Sequence, residues 1–71
     1  MAVEEFKSEK SSLYFDPRDI VAIEEPQKDF RMKPEEMPWF VYLRNTDKPF
    51  MFIQRDIGPV LSAFQRIKNN D

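Results

Sequence analysis

Five consecutive apolar residues, Trp39-Phe40-Val41-Tyr42-Leu43, constrain this chain more than any other stretch. A second apolar run, Phe50-Met51-Phe52-Ile53, follows after a short polar turn. Successive side chains of a strand point to opposite faces, so an uninterrupted apolar run gives a sheet two apolar faces. One face can be buried under a helix. The other needs a second cover, which the N-terminal strands, another copy of the chain or a partner could supply.

At 71 residues the chain is one domain, and its size limits how much surface it can bury. Seven Phe, two Tyr and one Trp compensate, because aromatic side chains bury much area per residue. A folded domain with a stability of about 3–5 kcal/mol is expected if the chain is monomeric. There is no Cys, so neither a disulfide framework nor a thiolate metal site can form. There is no His, which removes the commonest general base and the imidazole ligand. The net charge of −2, with both signs interspersed, argues against a general nucleic-acid binder. No apolar run approaches a membrane span and no signal-peptide core is visible, so a soluble, cytoplasmic protein is expected.

Residues 1–11 mix Glu, Lys and Ser around Val3 and Phe6 and read as a flexible N-terminal arm, with a single small domain over 12–71. Leu13-Tyr14-Phe15 predicts a short strand stopped by the turn initiator Asp16-Pro17. Ile20 to Ile23 predicts a second strand, ended at Glu24-Glu25-Pro26. Gln27 to Pro38 reads as an extended loop pinned by Phe30 or Met32, with one helical turn starting at Pro34. Trp39–Arg44 and Phe50–Gln54 form the best strand pair, joined by the turn Asn45-Thr46-Asp47-Lys48. If Arg44 opposes Pro49, then Leu43 faces Phe50, Val41 faces Phe52 and Trp39 faces Gln54. The opposite face then pairs Tyr42 with Met51 and Phe40 with Ile53.

After Arg55 the period changes from 2 to 3.6: Ile57, Val60, Leu61, Phe64 and Ile67 make one helical stripe. Asp56 or Gly58 can cap its start, Pro59 suits the first turn, and Arg66 and Lys68 suit the negative end of the dipole. The expected fold is therefore α+β, a small antiparallel sheet of three to four strands packed against one C-terminal helix.

Little in this sequence points to catalysis. Glu4-Glu5, Glu24-Glu25 and Glu35-Glu36 are adjacent pairs, whereas acid–base chemistry needs carboxyls facing each other across a cleft. Gly58 is the single glycine, so no phosphate-cradling loop exists. Asp16, Asp19 and Glu24 lack the spacing of a calcium loop, and Ser11, Ser12 and Ser62 have no histidine to activate them. No catalytic residue, cofactor or metal is expected.

Two binding readings remain. Phe40, Tyr42, Met51 and Ile53 would form an apolar hairpin face that binds another protein or a second copy, unless the N-terminal strands fold over it. Alternatively Arg44, Lys48 and Arg55, interleaved with Tyr42, Phe50 and Phe52, would neutralise and stack single-stranded nucleic acid.

The segments Tyr14-Phe15-Asp16-Pro17, Ile20 with Ile23-Glu24-Glu25, and Val41-Tyr42-Leu43-Arg44-Asn45, followed by strand, turn, strand and helix, resemble the small FlbD-type flagellar proteins. More distantly they are similar to the strand cores of LytTR-type response-regulator domains. The resemblance covers residues 13–67 and implies a small sheet with a C-terminal helix; it transfers no functional residue. The chain departs from both families in its Pro-rich middle loop and in lacking their Asn-Gly turn. A phage or mobile-element protein that inhibits a host factor shares the same makeup: short, acidic, aromatic and without catalytic groups. The expected function is a non-catalytic protein-binding or regulatory module.

Overall fold

A computed structural model describes residues 3–29 and 31–70. The architecture is α+β, as expected: two small antiparallel sheets and one C-terminal helix. Strands β1 (Glu4–Ser8) and β2 (Ser11–Phe15) form a hairpin. Strands β3 (Ile20–Glu24), β4 (Pro38–Leu43) and β5 (Phe50–Ile53) form a second sheet in that order. Helix α1 spans Gly58–Asn69.

The segment read as an arm is ordered from Glu4 onward. It pairs residue for residue with β2, and Phe6 is buried at 4% exposure against Phe15, their rings stacked 4.6 Å apart. Arg66 of α1 reaches Glu4 at 2.8 Å. Burial of one large aromatic outweighs the polarity of its neighbours Glu5 and Lys7, which alternate outward.

Asp16-Pro17 turns the chain as its chemistry dictates. The Asp16 carboxylate accepts the backbone N–H of Arg18 at 2.9 Å and caps a 3₁₀ turn over Pro17–Asp19. The guanidinium of Arg18 closes on the same carboxylate at 2.9 Å.

In β3 the partner of Ile20 is Leu43 and the partner of Ala22 is Tyr42, so Val21 is an extra residue, a β-bulge. Residues 20 and 23 would otherwise point to opposite faces. The bulge turns both inward: Ile20 is buried and Ile23 packs on the core, while Ala22 and Glu24 face the other way.

The β4–β5 register differs by two residues from the one expected: Val41 opposes Phe50, Phe40 opposes Met51 and Trp39 opposes Phe52. A two-residue slip preserves the faces, so Trp39, Val41, Leu43, Phe50 and Phe52 still share one. The connection between the ladders covers six residues, 44–49, and Asn45 within it lies in the left-handed region, φ 68°. Asn tolerates that conformation, and Thr46 donates both its N–H and its hydroxyl to the carbonyl of Leu43.

The core joins Phe6 and Phe15 of the hairpin, Ile20, Val41, Leu43 and Phe52 of the sheet, and Ile57, Val60 and Ala63 of the helix region. Leu61 and Phe64 flank it as the stripe predicts, and Ala63 is buried among them. The start of α1 differs from expectation. Gly58 is the first helical residue, Ile57 occupies the cap position, and no side chain caps it. Ile57 is instead held by burial, at 1% exposure.

The middle segment is extended apart from a 3₁₀ turn at Pro34–Glu36, as read from the sequence. Phe30, one of its two expected anchors, lies outside the described residues. Met32, the other, is 40% exposed and lies outside the core cluster. The strap is tied by its backbone: the N–H groups of Gln54 and Arg55 donate to the carbonyls of Met37 and Glu35, at 2.9 and 3.1 Å.

Candidate functional site: an open sheet face

Hairpin and helix cover the same face of the three-stranded sheet. The opposite face carries Ala22 and Glu24 from β3, Phe40 and Tyr42 from β4, and Met51 from β5. None of these belongs to the core cluster or packs against it as a partly buried neighbour. Phe40 and Tyr42 are half-buried, Ala22 and Glu24 are exposed, and Met51 is 43% exposed.

Of the four residues expected on this face, the sheet brings Phe40, Tyr42 and Met51 together. Ile53 has the same phase along β5 as Met51, but as a binding residue it is a correction. It opposes Pro38 at the end of the ladder and is buried at 5% exposure, beside the strap that crosses at Glu35–Met37. It is therefore unavailable to a partner. Ala22 and Glu24 were not legible as members of the face, because only the bulge at Val21 aligns them with Phe40 and Tyr42.

Tyr42 donates its hydroxyl to the Glu24 carboxylate at 2.7 Å. That hydrogen bond, then partial burial, then the nearby negative charge, raise the pKa of Tyr42 above the usual tyrosine value. A group whose pKa is raised by folding stabilises the fold fully below its unfolded pKa, and the contribution is lost as pH rises through the folded value. The bond thus holds at neutral pH and is lost as the pH rises through the raised Tyr42 value. Absorbance titration of tyrosinate should show Tyr42 ionising later than free tyrosine, and Glu24→Gln, which removes the charge, should bring it back toward the ordinary value. An unshifted Tyr42 would mean that this cross-strand bond is absent in solution.

At one end the face runs into a groove of about 700 Å³ beneath the strap, lined by Glu24, Pro26, Lys28, Met32, Pro38 and Phe40 among others. Its floor is aromatic and its walls combine Pro and Met with charges of both signs. Asp29 within it is engaged by the backbone N–H of Arg31 at 2.9 Å.

The alternative cation set is not one cluster. Arg44 and Lys48 sit in the β4–β5 connection, whereas Arg55 lies beyond the other end of β5, bonded through its N–H to Glu35. A six-residue strand separates the two ends by roughly 20 Å. Asp16 and Asp19 precede β3 and Glu24 ends it, so those three carboxylates are also apart. Among the described residues no group of three His, Cys, Asp or Glu side chains is placed to hold a metal ion. Among them, too, no helix is long and apolar enough to cross a membrane. Comparison with family models, with curated proteins and with solved structures found no match.

Proposed function

We propose that this chain is a non-catalytic, cytoplasmic binding module that acts by occupying a protein surface with its open sheet face. The observation that carries the reading is the placement of Phe40, Tyr42 and Met51 on the sheet face turned away from both the hairpin and the helix. An apolar patch of this kind on a small domain marks an interaction surface. Tyr presents a broad ring with a polar tip, and Met adapts its shape to whatever it meets. A regulator of this class works by occlusion and requires no reacting group; an inhibitor carried by a phage or mobile element is one member of it.

The test is Met51→Asp. Association, with another protein or with itself, should be lost while the thermal unfolding midpoint and far-UV circular dichroism stay close to wild type. Unfolding of the variant in dilute solution would show instead that Met51 supports the core, and the reading would fail. The separation of Arg55 from Arg44 and Lys48 gives no support to a nucleic-acid interface built from those three.

A further inference from the structure

We infer that the strap over residues 31–37 is a releasable cover of Ile53, and that its opening adds this side chain to the open face. Ile53 is 5% exposed, yet it is not a member of the cluster that joins hairpin, sheet and helix. Phe52, the residue before it, belongs to that cluster, so Ile53 points the other way, to the side of Phe40 and Met51. Met51, two residues earlier on that side, is 43% exposed. Whatever buries Ile53 is therefore local to its end of β5 and lies on the open-face side.

The strap is the element at that place. The N–H groups of Gln54 and Arg55, directly after Ile53, donate to the carbonyls of Met37 and Glu35. Met32 lines one groove with Pro38 and Phe40, so the strap runs on the open-face side of the sheet. Its attachment is slight. Residues 31–36 are all exposed, and the 3₁₀ turn at Pro34–Glu36 buries no side chain. Among the described residues, the other hydrogen bonds of the strap stay within residues 29–37. Two backbone bonds to Gln54 and Arg55 are what tie it to β5. A segment with exposed hydrogen bonds and few buried contacts opens at a lower free energy than the core beside it. Opening leaves hairpin, sheet and helix in place and sets Ile53 in line with Met51. A partner that binds the opened form draws the equilibrium toward it; only this last step rests on the binding-module reading above.

The chain has no cysteine, so a single introduced thiol reports its own position. Labelling by a small aromatic disulfide reagent under native conditions should separate three variants. Met51→Cys should react at once. Val60→Cys, at a core position of 0% exposure, should react only through global unfolding. Ile53→Cys should fall between them, about tenfold or more faster than Val60→Cys, at a rate that dilute urea leaves unchanged. Adding Pro34→Gly, at an exposed position of the strap, should speed the labelling of Ile53→Cys about two- to fivefold by freeing the opened chain.

Labelling of Ile53→Cys as slow as that of Val60→Cys makes the strap a fixed part of the fold and overturns the proposal. Labelling as fast as that of Met51→Cys means that position 53 is never covered and does the same. A rate that ignores Pro34→Gly assigns the cover to another element, which also overturns it. Should circular dichroism show Ile53→Cys unfolded, wild-type amide exchange decides. The Gln54 and Arg55 amides should exchange about tenfold or more faster than the best-protected amides of β4, and equal protection would sink the releasable strap. Met51→Asp tests the binding-module reading separately. Association lost in that variant, with no labelling of Ile53→Cys, keeps the binding face and removes the device.

Discussion

Phe52→Ala should unfold most of the protein at room temperature in dilute solution, whereas Met51→Ala, one residue earlier, should change stability by no more than about 0.5 kcal/mol. Phe52 is fully buried at 0% exposure within the cluster that joins sheet, hairpin and helix. Truncating a buried Phe to Ala costs about 3–5 kcal/mol, the lost transfer energy plus the cavity left behind. That is as large as the whole stability expected of a domain this size, about 3–5 kcal/mol. Met51 points to the open face and leaves no internal cavity when shortened. Urea unfolding followed by circular dichroism measures both. The contrast tests the register directly, because a slip of one residue would exchange the roles of the two side chains. Equal losses in the two variants would refute the assignment of faces.

That contrast also marks what could be read from the sequence. The two apolar runs force a two-faced hairpin whatever the local register, so the membership of Phe40, Tyr42 and Met51 on one face was legible even though the pairing was misjudged by two residues. The helix was legible because Ile57, Val60, Leu61, Phe64 and Ile67 repeat at a spacing that no strand satisfies. Ile53 shares the face of Phe40 and Met51, as read, but its burial was hidden because the neighbouring strap is held by backbone hydrogen bonds from Gln54 and Arg55, which leave no trace in residue type. The bulge at Val21 was invisible for a similar reason. Ile20-Val21-Ala22-Ile23 is apolar throughout, so its alternation carries no phase, and only the tertiary demand to bury both Ile20 and Ile23 selects the extra residue. Glu24 was read as the end of a strand; its bond to Tyr42 depends on that bulge.

Phe6→Ala should be nearly as damaging as Phe52→Ala, a result the polar character of the N-terminal segment hides. Strand β1 meets β2 through a two-residue turn, Glu9-Lys10, without the Asn-Gly or Asp-Gly signature of hairpin loops. Neither turn residue has a positive φ, so this is not a primed turn, and sequence reading has no cue to it. What holds β1 is packing. Phe6 is 4% exposed, stacks on Phe15, and Phe15 in turn stacks on Phe50 of β5 at 6.2 Å. Removing the Phe6 ring opens a cavity between hairpin and sheet and costs about 3–5 kcal/mol, of which the aromatic pairing contributes about 0.5–1.5 kcal/mol. Glu4→Ala, which removes only the exposed pair with Arg66, should cost at most about 1 kcal/mol. Lys7→Ala, at an exposed position, should be close to neutral. Amide hydrogen exchange supplies the second readout: in wild type the β1 amides should be protected to the same degree as those of β4, since both elements are part of one core. In a protein whose first eleven residues are a loose arm, Phe6→Ala would be silent and the β1 amides would exchange freely, and either result would detach the N-terminal hairpin from the fold.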